Sequence, residues 1–330
     1  MFERKENQNI TLAVDIGGSK IEITIINDNG ELIIPVEKFK VPFNNKNIAD
    51  PKKLINLIKP FAEKAKKLSG NLCGLGLSVC GNINQNNGTA ILVPNLHWRN
   101  IPFGEMVKKE LEMPVFAATD VRMALLGEYI WGAAKGKKYF AWVTIGTGYG
   151  GYLFLNGEPY EGVHGFAGNN GHVTWNEIDG EQCGCGNKGC FETFVAGPAI
   201  AREGQKAAES MESPYLANIL MHRKITTKDV FDGEIHKDEK SHSIIENIIR
   251  LICINLGGMV NILDIDLIIL GGGVIKGNKN FIPRINTRVR DFLMTDEAKR
   301  DLKIVKESFN NSALVGAAAD VFIRQQIINR

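Results

Sequence analysis

One pattern occurs twice in this chain and limits what it can become. Thr11-Leu-Ala-Val-Asp-Ile-Gly-Gly-Ser-Lys-Ile-Glu-Ile-Thr-Ile-Ile-Asn27 reads as a β-run, a glycine-rich turn and a second β-run, closed by the turn Asp28-Asn29-Gly30. About 130 residues later, Trp142-Val-Thr-Ile-Gly-Thr-Gly-Tyr-Gly-Gly-Tyr-Leu-Phe-Leu155 repeats the design, with Asn156-Gly157 as its turn. Repetition at that distance predicts a duplicated α/β domain, and a chain of 330 residues is long enough for two cores. No long linker or low-complexity stretch separates the halves, so two lobes meeting at a cleft are expected.

The remaining periodicities fit the same plan. Asp50 can cap a helix that has Pro51 at its first position and Leu54, Ile55, Ile58, Phe61 and Ala62 along one stripe. A buried strand is predicted at Leu75–Val79, then a polar loop from Gly81 to Gly88. Helices are predicted over 119–134, 242–262 and 312–329. Leu267–Leu270 reads as a buried strand leaving through Gly271-Gly272-Gly273.

Three glycine turns at strand ends can bring main-chain N–H groups close to phosphate, since glycine has no Cβ and tolerates positive φ. The candidates are Gly17, Gly18, Ser19 and Lys20 in the first turn, Gly146, Thr147, Gly148 and Gly150 in the second, and Gly271, Gly272 and Gly273 in the third. Asp15 adds a carboxylate able to hold Mg²⁺ through water. Taken singly, each turn fits an ordinary hairpin as well. Gly146, Gly148 and Gly151 match G-x-G-x-x-G, but Tyr152-Leu-Phe-Leu155 continues as strand and residue 171 is glycine, so a Rossmann fold is disfavoured. The P-loop spacing is absent too. Paired hairpins in duplicated halves are similar to the actin-like, Hsp70-like and hexokinase-like ATPases, the actin-like/ribonuclease H-like fold.

A formal net charge of +2 gives no electrostatic reason to expect nucleic acid or an anionic membrane as partner. The charged start Met1-Phe2-Glu3-Arg4-Lys5 argues against a secretory signal, and no apolar run of transmembrane length stands out, so the cytoplasm is expected. Cys73, Cys80 and Cys253 are scattered among apolar residues. In a reducing compartment the cluster of Cys183, Cys185 and Cys190 points to metal. His172 completes a tetrahedral Cys₃His set suited to structural zinc, and Gly184, Gly186 and Gly189 let the loop fold back.

At these residues the chain resembles the ROK family, the sugar kinases and sugar-responsive repressors of bacteria. The family's E-x-G-H…C-x-C-G-x-x-G-C-x-E pattern appears as Asn169-Asn170-Gly171-His172…Cys183-Gly-Cys185-Gly-Asn-Lys-Gly189-Cys190-Phe191-Glu192. Asp15-Ile-Gly-Gly-Ser-Lys20, Ile145-Gly-Thr-Gly-Tyr-Gly-Gly151, Pro94-Asn95-Leu96, Ile269-Leu-Gly-Gly-Gly-Val274 and Gly316-Ala-Ala318 also match. The resemblance implies an ATP-dependent sugar kinase using Mg²⁺ and a structural Zn²⁺, with Asp120 as the base that accepts the sugar hydroxyl's proton. By spacing alone Asp120 reads as a helix cap. The resemblance also implies sugar contacts at Gly81, Asn95, Thr119, Asp120, Asn169, His172 and Glu192, and a homodimer.

Three positions depart from the family pattern. Asn169 replaces its glutamate, Thr119 the asparagine before the base, and Arg122 the second asparagine. An asparagine offers a donor that glutamate lacks, which shifts hydroxyl preference. Glucose is therefore not assumed, and N-acetylmannosamine, allose or a phosphorylated glycoside fit as well. Arg122 suits either an anionic substituent or solvent. The expected lobes are 1–119, completed by a C-terminal helix at about 313–330, and 120–312 with the zinc loop 172–190. Ten residues precede the first strand, so the kinase branch is expected over the DNA-binding repressors, with a sugar sensor of weak or lost kinase activity as the alternative.

Overall fold

The computed structural model describes residues 8–68 and 70–328. They fall into two compact units. The first runs to Lys137 and also holds Glu161–Phe166 and the chain from Glu307; the second holds Lys138–Tyr160 and Ala167–Lys306.

Eight strands belong to the first unit: β1 (Asn9–Ile16), β2 (Lys20–Asn27), β3 (Glu37–Lys40), β4 (Asn71–Val79), β5 (Asn82–Asn84), β6 (Thr89–Val93), β7 (Trp98–Ile101) and β8 (Val115–Thr119). The main sheet has the order β3-β2-β1-β4-β8, with β1, β4 and β8 parallel, and β5-β6-β7 form a small second sheet. The second unit contributes β9 (Phe140–Ile145), β10 (Tyr149–Leu155), β11 (Glu158–Pro159), β12 (Leu267–Gly271) and β13 (Lys303–Lys306), in the order β11-β10-β9-β12-β13. The two orders correspond position by position. In each, an antiparallel hairpin is extended by a strand on its outer side, while two parallel strands continue from its first strand. The sequence repeat is thus a repeat of sheet topology.

Central strands covered on both faces read as continuous apolar runs, and β1 is one. Leu12, Val14 and Ile16 share a core with Leu54 and Ile58 of the helix Pro51–Lys66. Asp50 caps that helix by accepting from the Lys52 and Lys53 amides at 3.0 and 3.2 Å. On the opposite face Ala13 lies in register with Gly76, and the closing helix Ser312–Arg324 comes down onto them. A Cβ at Gly76 would sit 2.0 Å from the Ala317 carbonyl oxygen. The same helix packs on Asp120–Trp131, where a Cβ at Gly316 would lie 1.5 Å from the Met123 carbonyl oxygen. Buried Glu128 locks this contact by accepting from the Ser308 amide, Ser308 Oγ and Ser312 Oγ. The first unit therefore extends past the expected limit at 119 to Lys137, because the helix 120–131 shares its core.

In the second unit the 25-residue helix Glu239–Leu263 is long and apolar enough to cross a membrane by length and composition, against the expectation from sequence. Of its most apolar stretch, 61% is buried: Ile245, Ile249, Ile252 and Leu256 share one core with Val143, Ile268 and Leu270. That burial makes it the core helix of this unit. The helices Gly197–Glu209, Pro214–Leu220 and Thr227–Ile235 complete the layer and had no counterpart in the sequence reading.

Candidate functional site

The parallel strands of the first unit exit side by side. Asp15 pairs in register with Ser78, and Val79 with Thr119, so Asp15, Cys80-Gly81 and Thr119-Asp120 form a row at the carboxyl end of the sheet. Ligands of open α/β sheets bind at that end. Asp15 is half-buried, its Oδ1 accepting from Ser78 Oγ at 2.6 Å and its Oδ2 from Asn311 Nδ2 at 2.8 Å. Burial raises its carboxyl above the usual range, opposed by those two hydrogen bonds. The turn after β1 is closed by the Gly17 amide donating to the Lys20 carbonyl at 2.9 Å. Asn95 lies against this turn, since a Cβ at Gly18 would come within 2.7 Å of the Asn95 Cβ. Gly81 has φ +110°, which lets the chain turn back under the Leu92 carbonyl.

Asp120 is the first residue of its helix and Thr119 occupies the cap position. Asp120 Oδ1 accepts from the Val121 amide at 2.9 Å and from Thr119 Oγ1 at 3.2 Å. Burial, and then the charge of Asp15, push its carboxyl up to about 6. A carboxylate held near 6 is a stronger base than an ordinary aspartate and still ionised at neutral pH. Arg122 corrects an expectation: it faces neither a ligand nor solvent. It is 2% exposed, with Nη1 2.9 Å from Asp320 Oδ1 of the closing helix and Nε 3.4 Å from Glu161 Oε1.

In the second unit, the hairpin turn and the exit of β12 meet. Gly272 (φ +93°) carries the chain against the Ile145 carbonyl, and the Gly146 amide donates to Gly148 at 2.9 Å. Gly146, Thr147 and Gly273 edge a cavity of about 720 Å³, within the size range of small-molecule sites. Its apolar wall is Ile225, Phe231, Ile235 and Val274, and Thr226, Thr227, Lys228 and Asn278 supply polar groups. The helix Gly197–Glu209 starts at the turn, its Gly197 amide donating to Gly146 O at 2.7 Å. Gly150 and Gly271 are paired strand residues outside this lining, each in register with Thr144. Gly148 instead backs onto Glu192, whose Oε2 accepts from the Tyr149 amide at 2.8 Å. The cavity's residues between 197 and 235 were missed from sequence; the capping box of Thr226 and Asp229 was the available signal.

The four metal candidates converge. The ligand atoms of His172, Cys183, Cys185 and Cys190 all lie within 4.8 Å of one another. Cys183 Sγ is 3.6 Å from His172 Nδ1, and Cys185 Sγ is 3.6 Å from Cys190 Sγ. Those spacings fit the edges of a tetrahedron with bonds of about 2.0–2.3 Å. Burial, and then the neighbouring Cys185 and Cys183, push the Cys190 thiol up to about 12, so a divalent cation is what would let all three thiols ionise. Gly186 and Gly189 have positive φ and make the expected folds, whereas a Cβ at Gly184 would meet open space. Glu192 borders the cluster, its Oε1 3.7 Å from Cys183 Sγ. Asn169 is exposed where the chain enters the short turn Asn170–His172.

The profile of the ROK family matches residues 11–324. The chain belongs to the ROK family. It is 32% identical over 283 residues to a glucokinase of Halalkalibacterium halodurans, covering 83% of each protein. Its fold matches a ROK family glucokinase from Streptomyces griseus, solved in complex with glucose and AMPPNP, at a TM-score of 0.78 with 25% identity, over 94% of this chain and 98% of that one. It also matches a ROK family transcriptional regulator, a homolog of the E. coli MLC protein, at a TM-score of 0.81 with 23% identity, over 97% of this chain and 81% of that one. The ROK fold thus serves kinases and regulators alike, and the side chains must decide between them.

Proposed function

We propose that this ROK protein is an ATP-dependent sugar kinase that transfers the γ-phosphate of ATP to a hydroxyl of a hexose or hexose derivative. The observation that carries the reading is Asp120, a carboxylate at the exit of β8 whose base strength burial and Asp15 have raised. A regulator that only senses sugar has no need of such a base. Asp120 accepts the hydroxyl proton as the sugar oxygen attacks the γ-phosphorus. The bond from that phosphorus to the bridging oxygen breaks and ADP leaves. Thr119 holds Asp120 by its hydrogen bond.

The 720 Å³ cavity takes the nucleotide: the apolar wall suits a base, and the Gly146–Gly148 turn at its edge suits phosphate. The AMPPNP carried by the Streptomyces griseus glucokinase supports ATP as the phosphate donor. Mg²⁺ held at Asp15 would neutralise phosphate charge. His172, Cys183, Cys185 and Cys190 would hold a structural Zn²⁺ that stiffens the loop carrying His172, next to Glu192. With Gly81, Asn95, Thr119 and Asn169, those two residues are assigned to the sugar. Since Arg122 is engaged elsewhere, Thr119 and Asn169 are the substitutions that set sugar preference, and glucose is one candidate among hexoses.

A panel of hexoses, with acetylated and deoxy analogues, tests the reading through ADP release from Mg-ATP. Turnover of at least one sugar is expected. Binding without turnover across the panel would replace the kinase with a sensor.

A further inference from the structure

We propose that Asn311 is a positioning residue: it aims Asp15 at the hydrated magnesium ion of the bound nucleotide. The proposal rests on the kinase reading and adds to it a residue 296 positions away in the chain.

Asn311 is engaged at every polar atom of its side chain. Its Oδ1 accepts from the Leu314 amide at 3.0 Å and so caps the closing helix. Its Nδ2 donates to Asp15 Oδ2 at 2.8 Å and to Glu22 Oε2 at 2.6 Å, one amide proton for each carboxylate. Glu22 is itself buried and held from the other side, with Oε1 2.7 Å from Lys20 Nζ and 3.1 Å from Lys38 Nζ. The plane of the amide is therefore set by three fixed neighbours. Ser78 Oγ holds the other oxygen of Asp15 at 2.6 Å. Each oxygen of Asp15 is left with an unused acceptor position in a defined direction, which is what a water ligand of Mg²⁺ needs. The arrangement also gives Lys20 a partner: this lysine of the glycine turn serves Glu22.

The cap and the aim require different chemistry. Serine or aspartate caps a helix as well as asparagine, but neither can donate to two carboxylates at once. Asn311→Ser therefore keeps the cap and removes the aim. Binding of ADP to the intact protein, measured by calorimetry with and without Mg²⁺, reads the difference. In Asn311→Ser, affinity for metal-free ADP should stay as in the wild type and the thermal midpoint should fall, since Asp15 and Glu22 lose a donor, while the gain in affinity on adding Mg²⁺ should fall roughly tenfold. Asn311→Asp places a third carboxylate beside Asp15 and Glu22 and should lower that gain further. An unchanged Mg²⁺ gain in Asn311→Ser overturns the proposal, and so does an equal loss with and without the metal, which marks a purely structural role. Failure of the kinase reading shows separately, as a wild-type protein that binds no ADP under either condition.

Discussion

Asp120 carries the sharpest consequences at the scale of single residues. Its carboxyl stands at about 6 in the folded protein against 3.8 for an ordinary aspartate. As a base it works only when ionised, so kcat/KM should fall as pH drops through about 6 and level off above neutrality. For stability the sign is opposite to that of a salt-bridged carboxylate. A raised folded pKa means the folded state holds its proton more tightly, so stability declines as pH rises from about 4 to about 6, and the penalty persists above. Asp120→Asn should cut turnover about 10²–10⁴-fold and stabilise the fold by about 2 kcal/mol at pH 7, a gain that vanishes near pH 4. Rate profiles and thermal melts at both pH values test this, and full activity in the variant would remove Asp120 from the mechanism. Asp120 was legible only through the family pattern, because its spacing also suits a cap. The partners of Arg122, Glu22 and Asn311 could not be read: they lie up to 296 residues away, and pattern reading follows near neighbours.

Among elements, the loop of His172 and the three cysteines and the glycine hairpins were the most readable, since ligand spacing and turn chemistry are local. The three cysteines and His172 fall together as their spacing predicts. Less legible was the loop's second attachment: Glu192 follows the last cysteine by two residues and accepts from the Tyr149 amide of the second glycine hairpin. Metal loss should therefore loosen both Glu192 and the segment from His172 to Cys190. One zinc per chain is expected by elemental analysis, and Cys190→Ser or chelation should abolish it. The apparent KM for the sugar should then rise about tenfold or more, as when groups orienting a site are lost. Unchanged kinetics after verified metal loss would assign the cluster to some other task. The closing helix shows where element-level reading stops. Its apolar pattern predicted a helix, but only the structure shows Gly316 against Met123 and Ala317 against Gly76, contacts that draw the helix 120–131 into the first unit.

At the scale of the molecule, duplication has produced two sheets of one topology with different equipment. The first hairpin stands beside Asp15 and Asp120, two carboxylates suited to metal binding and proton transfer. The second stands beside a cavity with apolar walls, suited to a base. The repeat made the architecture readable, yet it could not say which copy takes the nucleotide, since both turns are glycine-rich. The helices between Gly197 and Ile235 make the difference, and they have no counterpart in the first half. If that division of labour holds, metal-free ADP should slow hydrogen exchange in the second unit at 146–148, 197–201, 225–235 and 273–278. At a hundredfold excess over Kd the protection should approach about 100-fold where opening of the site controls exchange. The closing helix Ser312–Arg324 should exchange as before, because it belongs to the first unit and packs there on the helix Asp120–Trp131. Protection centred instead on Gly17–Lys20 would assign the nucleotide to the first hairpin and leave the 720 Å³ cavity without its ligand.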